Sequence, residues 1–271
     1  MKSDKEIAYR YDLYVVPHWR ESLDQMVLQH VEMPRTGSIL DVNAGTGGLA
    51  IELATSIGNR GEVIATDAQA ERLSLARAKA GVKKLNNVFF LEKDPTQLEM
   101  EDYKFNLVVG DATLMRSEHI EEMLAEMVRV AEYEAVVALM MLTHGSFGEV
   151  FSLLWEALYL CQLSHYAPEI EALINEHQTT IQAHQMMQRQ GLGHVHRFTE
   201  RKELNFDSAQ EFFESPLIED YFLDHWLSFL PDAATRQHVT DKIMELIDRE
   251  SHESYFEVSV KASLWVGKRQ E

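Results

Sequence analysis

Residues Ser38-Ile39-Leu40-Asp41-Val42-Asn43-Ala44-Gly45-Thr46-Gly47-Gly48-Leu49-Ala50 decide the fold of this chain. An apolar run ends in an acid, a glycine-rich turn follows, and a helix begins. That order places a nucleotide-type ligand at the carboxyl end of the first strand of an α/β sheet. Gly45 and Gly47 let the backbone approach such a ligand with no Cβ in the way.

Two ligand classes use such a turn. Gly45-Thr46-Gly47-Gly48-Leu49-Ala50 satisfies G-x-G-x-x-G/A, and Asp67 follows Gly47 by twenty residues at a strand end, which fits a dinucleotide. Asp41 argues the other way. A dinucleotide site aims helix N–H groups at a pyrophosphate. A carboxylate about 6 Å from a phosphate charge would cost roughly 2–3 kcal/mol at an effective dielectric near 20. A ligand carrying an ammonium and a sulfonium gains from the same carboxylate. S-adenosylmethionine has both, with a ribose and an adenine and no phosphate.

With these residues the chain resembles the class I S-adenosylmethionine-dependent methyltransferases, in the small-molecule branch similar to the ubiquinone/menaquinone methyltransferases. Asp41 to Gly47 looks like that family's D-x-G-x-G-x-G motif. Glu62-Val63-Ile64-Ala65-Thr66-Asp67 resembles the second strand, and Asn87 to Pro95 the third. Phe105 to Gly110 resembles the fourth and Ala135 to Leu142 the fifth. The resemblance is strongest over about residues 35–145. It implies that Asp67 holds the ribose diol and Asp94 the adenine amine. Both roles suit a carboxylate, an acceptor-only group when ionised. The same motifs carry Asn43, Ala44, Ala68, Pro95 and Gly110 into the cofactor site.

Three departures stand out. Asn43 occupies the usual first glycine, and asparagine tolerates the left-handed region. Asn106 replaces an aspartate common at the start of the fourth strand, and Arg129 to Glu134 lacks the family's Lys-Pro-Gly-Gly turn.

The implied fold is α/β: a doubly wound, mostly parallel seven-stranded sheet, with an antiparallel C-terminal strand and helical insertions forming a lid. In the family the seventh strand enters between the fifth and the sixth. Residues 1–145 form an N-terminal cap and cofactor-binding core, and residues 146–271 complete the same domain. Helices are expected over about 48–58, 69–81 and 117–131. Ser146-Phe147-Gly148-Glu149 reads as a capping box for a helix whose apolar face holds Val150, Phe151, Leu154, Leu158 and Cys161. Pro168 opens a helix that Gly191 or Gly193 closes. A strand runs from about His194 to Phe206, Asp207 with Gln210 forms a cap, and two helices flank Pro231. Tyr255 to Val266 alternates as a final strand. Residues 146–193 and 207–252 read as a lid or substrate wall, with ordinary core or a homodimer surface as the bland alternatives.

Composition narrows the partners. Lys and Arg total 25 against 44 Asp and Glu, a net charge of −19, so neither nucleic acid nor an anionic membrane is an expected partner. The longest apolar run, Ala135 to Leu142, is too short to span a bilayer. Residues 1–6 lack the apolar region of a signal peptide, and the lone Cys161 reads as a small buried hydrophobe. The expectation is a cytoplasmic enzyme.

Methyl transfer by in-line displacement draws much of its rate from alignment and water exclusion. His144, just past the fifth strand, is the candidate base, with His18 and Glu149 behind it. Tyr9 to Tyr14 resembles the aromatic segment that closes over the cofactor. Tyr11 is assigned to the reacting centre, where an aromatic face can shield a sulfonium. His194-x-His196 lacks the further ligands of a metal site, and no metal is expected. The reading is S-adenosylmethionine-dependent methylation of a small-molecule acceptor. Its alternatives are a non-catalytic homologue that binds the cofactor or serves as a scaffold, and an NAD-dependent oxidoreductase.

Overall fold

In the computed structural model, which describes residues 2–250 and 255–271, the decisive stretch forms strand β1 (Gly37–Val42) and the start of a helix. The end of the expected 207–252 insertion, residues 251–252, lies outside the described residues, as does Met1. Helices α1 (Asp4–Arg10) and α2 (Glu21–His30) precede β1, joined by a π-helical segment, Tyr11–Arg20. Then come α3 (Gly48–Ile57), β2 (Gly61–Asp67), α4 (Ala70–Val82), β3 (Val88–Glu92) and β4 (Phe105–Asp111). Helix α5 (Ile120–Val130) and β5 (Ala131–Leu142) follow, then α6 (Gly148–Leu160), α7 (Ala167–Glu176) and α8 (Thr180–Arg189). The remainder is β6 (Leu192–Phe206), α9 (Ala209–Glu214), α10 (Pro216–Tyr221), α11 (Leu223–Trp226), α12 (Ala233–Glu250) and β7 (Phe256–Arg269).

The seven strands lie in the order β3-β2-β1-β4-β5-β7-β6. Pairings β1–β2, β1–β4, β2–β3 and β4–β5 are parallel. Strand β7 runs against β5: the Thr143 N–H, just past β5, reaches the Lys261 carbonyl, and Arg269 reaches the Ala131 carbonyl. The mixed sheet with its late strand inserted between the fifth and sixth is therefore as expected. Strand order reverses at β1 and β4, so the carboxyl ends of these two strands flank the crevice where such sheets bind ligands.

The chain divides into two compact units: residues 1–141, 181–199 and 263–271, and residues 142–180 and 200–262. In the first unit β1 and β4 are apolar runs because helices cover both faces of a parallel sheet. Ile120, Met123, Leu124 and Met127 form the buried stripe of α5, at the spacing of one helical face. Gly110 of β4 serves this packing, since a Cβ there would meet Met123 Cε at 2.6 Å and Met127 Sδ at 2.8 Å. Trp19 anchors the N-terminal segment. It is fully buried, and its indole N–H donates to Thr113 Oγ1 at 2.9 Å. Pro17 has no N–H to give an α-helix, and the wider π turn around it closes with Glu21 N–H on the Val16 carbonyl.

Several local expectations need correction. Strand β5 begins at Ala131, not Ala135, with an irregular register between Phe105 and Leu107 that absorbs the missing turn. Ser146 does not cap α6. Its hydroxyl donates to the Thr143 carbonyl and accepts from Lys261 N–H, Glu149 accepts from Ser259, and Phe147 in the left-handed region starts the helix. The helix opened by Pro168 ends at Glu176, and residues 177–179 break it before α8. The cap expected at Asp207 is one residue later: Ser208 Oγ accepts from Glu211 N–H. Cys161 is half-buried just past the end of α6, outside its apolar face. Around Pro231 lie three helices, α10 and α11 before it and α12 after.

Candidate active site

The turn after β1 is held from three sides. Ala44 N–H donates to the Thr66 carbonyl at 2.8 Å, tying the turn to β2. Gly45 and Gly47 have φ of 58° and 81°, left-handed values that glycine adopts without strain. Asn43 also has φ of 58°, and its side-chain amide donates to the Asp111 carbonyl at 3.0 Å. An asparagine at the usual glycine thus keeps the turn and ties β1 to β4. Asn106 is likewise structural: it accepts from Ser38 N–H at 2.9 Å and donates to Glu132 at 2.6 Å.

Acids stand at or just past the ends of four adjacent strands. Asp41 is fully buried in β1, and neither of its oxygens has a hydrogen-bond partner. Asp67, at the end of β2, accepts from Gly45 N–H at 3.0 Å and Gln69 N–H at 2.9 Å. Ala68, next to it, is exposed. Past β3, Asp94 is exposed and its Oδ1 caps the turn through Pro95, accepting from Thr96 N–H and hydroxyl at 2.8 and 2.6 Å. These bonds hold its carboxyl below the usual range. Asp111, at the end of β4, is the acid that sequence reasoning missed. The signal was present, because Val108-Val109-Gly110-Asp111 repeats the strand-then-acid pattern of β1 and β2.

Arg20 is the second residue missed, and no sequence pattern pointed to it. Its guanidinium, 4% exposed, bonds Asp24 at 2.6 Å, Asp111 at 2.8 Å and the Asn43 carbonyl at 2.9 Å. Its remaining nitrogen, Nη2, has no hydrogen-bond partner and lies 4.0 Å from Asp41 Oδ1. One guanidinium thus faces three carboxylates. Burial, which the Arg20 charge only partly offsets, pushes the Asp41 carboxyl up to about 8. The acids Asp24 and Asp111 outweigh the one guanidinium beside the turn, a balance that disfavours a pyrophosphate and argues against the dinucleotide reading.

Tyr11 closes the turn. A Cβ on Gly45 would lie 2.6 Å from the Tyr11 hydroxyl, so the ring occupies the space above that glycine. The Arg72 guanidinium covers the ring at 4.3 Å and reaches Asp67 at 3.6 Å. Asp12 joins Lys79 and the Thr46 hydroxyl, latching the N-terminal segment to the turn and to α4.

The first unit thus gathers Tyr11, Asp41, Asn43, Ala44, Gly45, Gly47 and Asp67. Gly110 serves helix packing there. His144 belongs to the second unit, with an exposed side chain and its backbone N–H on the Gln178 carbonyl at 3.0 Å. Glu149 is tied to Ser259. Among the described residues no group of three or more His, Cys, Asp or Glu is placed to hold a metal ion.

Comparison with known proteins agrees with this geometry. Residues 35–192 match the family model described as a methyltransferase domain, more than half of the chain. The chain belongs to that methyltransferase family. It is a class I S-adenosylmethionine-dependent methyltransferase acting on a small molecule. It is similar to the demethylmenaquinone methyltransferase of Deinococcus radiodurans, at 33% identity over 62% of this chain and 68% of that protein. It is also similar to the enzyme of the same name from Porphyromonas gingivalis, at 27% identity over 58% and 61% of the two chains. Among solved structures, the YcgJ protein of Bacillus subtilis shares the fold with a TM-score of 0.59 and 16% identity, covering 92% of this methyltransferase and 98% of that chain. Phosphoethanolamine N-methyltransferase 2 of Haemonchus contortus, solved with S-adenosylhomocysteine, shares it with a TM-score of 0.58 and 15% identity, over 100% and 59% of the two chains.

Proposed function

We propose that Asp41 and Arg20 hold the amino-acid end of S-adenosylmethionine, with Asn43, Ala44, Gly45 and Gly47 shaping the cradle beneath it. The observation that carries this reading is that Asp41 and Arg20 Nη2, buried side by side at 4.0 Å, have no hydrogen-bond partner. An α-amino acid head needs one buried acceptor for its ammonium and one buried donor for its carboxylate, and unpaired buried groups of both kinds are costly without it. Asp67 accepts from the ribose diol beside its existing bonds. Asp94, with Ala68 and Pro95 next to the two acids, borders the adenine.

When bound, S-adenosylmethionine supplies an electrophilic methyl group on a sulfonium, a leaving group that needs no protonation. The residues of this chain orient and shield. Tyr11, held between Gly45 and Arg72, excludes water from the turn and offers an aromatic face to a cation. His144 is the base for an acceptor that must lose a proton. The acceptor we favour is a neutral hydroxylated ring of the quinol type, on the strength of the demethylmenaquinone methyltransferases among the relatives. The setting we favour is the cytoplasm; separately, among the described residues no helix is long and apolar enough to cross a membrane.

The test is thermal unfolding with S-adenosylhomocysteine and, separately, with NAD. A ligand at 100 times its dissociation constant stabilises by about 2.7 kcal/mol, a shift of roughly 2–4 °C for a chain of this size. The expected result is a shift with S-adenosylhomocysteine alone. A shift with NAD alone overturns the reading of Asp41.

A further inference from the structure

Residues 4–30 form one unbroken helical rod, α-wound at both ends and π-wound over Tyr11–Arg20. The backbone stays helical across both joints, with φ −61° and ψ −42° at Arg10 and φ −57° and ψ −43° at Glu21. Winding decides which side chains share a face. Tyr11 and Arg20 are nine residues apart. At the 3.6 residues per turn of an α-helix, that separation is about two and a half turns and sets the two side chains on opposite sides. A π-helix bonds to the fifth carbonyl back and takes roughly 4.4 residues per turn, so the same separation is close to two full turns. The buried residues of the segment, Tyr11, Val15, Trp19 and Arg20, follow that wider turn. Leu13, Tyr14, Pro17 and His18 are exposed.

The far end of the segment is fixed and the near end is latched. Trp19 is held by Thr113, and Arg20 by Asp24, Asp111 and the Asn43 carbonyl. Tyr11 fills the space above Gly45, and Asp12 bonds Lys79 and the Thr46 hydroxyl. Rewinding the segment as α-helix, with Arg20 in place, would turn Tyr11 and Asp12 about half a turn away from the glycine turn. It would also bring Leu13, seven residues before Arg20, round to the face that Tyr11 now holds. Two local features weaken the α form. Pro17 has no N–H for the Leu13 carbonyl, and Val15 and Val16 are β-branched.

We propose that residues 11–20 are a winding switch for the cofactor cradle. The π winding seats Tyr11 over Gly45 and closes the cradle; the α winding carries Tyr11 away and opens it. This rests on the reading of Tyr11 and Arg20 as parts of the S-adenosylmethionine site. Bound cofactor favours the π form because both side chains reach it only in that winding, which is the differential contact a population shift requires.

The test is labelling of the full chain by N-ethylmaleimide in a Cys161→Ser background, which removes the one native thiol. Leu13→Cys and Tyr14→Cys are each labelled with and without Pro17→Ala, and S-adenosylhomocysteine is titrated calorimetrically. Pro17→Ala restores the missing donor at an exposed position outside the cradle and favours the α form. Leu13→Cys is then expected to label about tenfold more slowly, and S-adenosylhomocysteine to bind about tenfold more weakly, because only the π-wound fraction is competent. Saturating ligand should restore the labelling rate. Tyr14 lies off that face in either winding, so Tyr14→Cys should label at an unchanged rate. Circular dichroism and a thermal midpoint no lower than that of the parent show that the variant folds. Unchanged labelling of Leu13→Cys, unchanged affinity, or equal slowing of Leu13→Cys and Tyr14→Cys overturns the proposal. Normal S-adenosylhomocysteine binding with unchanged labelling removes the switch and leaves the cofactor site. Slowed labelling with no binding to the parent chain keeps the change of winding and removes the cofactor reading.

Discussion

Arg20 Nη2 and Asp41 Oδ1 stand 4.0 Å apart, both buried, and neither has a hydrogen-bond partner. At that distance they attract without bonding, and the remaining guanidinium nitrogens are committed to Asp24, Asp111 and the Asn43 carbonyl. Asp41→Asn keeps the shape and removes the carboxylate that an ammonium would ionise. It is expected to weaken S-adenosylhomocysteine binding by about 1.5–3 kcal/mol, the range for a hydrogen bond to a charged group. Calorimetry on the folded variant checks this, and an unchanged affinity removes Asp41 from the site.

Arg20 has a second duty as the cation among three buried acids. Arg20→Ala leaves Asp24 and Asp111 uncompensated and is expected to cost about 3–5 kcal/mol of stability, as breaking a buried ion pair does. The urea midpoint measures it, and a loss below about 1 kcal/mol would show that the acids find other partners.

The pH dependence follows from Asp41. With its carboxyl near 8, the folded protein keeps a proton between about pH 4 and 8 that the unfolded chain releases. This group's contribution therefore falls as pH rises through that window and levels off above it. The stability difference between wild type and Asp41→Asn should shift against wild type from pH 5 to pH 8. An ammonium beside Asp41 favours its ionised form, so ligand binding near pH 7 should release a proton. Binding heats in two buffers of different ionisation enthalpy read that release directly.

Gly45→Ala places a Cβ 2.6 Å from the Tyr11 hydroxyl, at a φ of 58°. The strain of a side chain in the left-handed region is about 1–2 kcal/mol, before the clash is relieved. The melting temperature should fall, and Gly45→Ala should cost less in a Tyr11→Ala background than in wild type, because the clash is then gone. An equal cost in the two backgrounds would place Tyr11 away from the turn.

His144→Ala is expected to leave S-adenosylhomocysteine affinity intact, because its exposed ring lies outside the unit that holds the cradle. Turnover with a hydroxylated aromatic acceptor should drop about 10²–10⁴-fold, the usual contribution of a general base. Unaltered turnover would make it a bystander.

The strands and the glycine turn were legible because their signals are local. An apolar run, an acid and two glycines specify a strand end and a left-handed turn whatever surrounds them. Caps were less legible. Ser146 and Asp207 are capping residues by type, but tertiary partners claim Ser146, while Ser208 competes for the cap assigned to Asp207. The break between α7 and α8 carries no proline or glycine at 177–179 and so left no mark in the sequence.

From the sequence alone came the alternation of strands and helices, the turn at Gly45 and Gly47, and the acids Asp41, Asp67 and Asp94, because each depends on neighbours within a few residues; the place of the last strand came only through the family resemblance. Tertiary structure decided the charge state of Asp41, the burial of Arg20 beside it and the seat of Tyr11 over Gly45. Those properties depend on desolvation and on partners more than twenty residues away, and a linear pattern carries neither quantity.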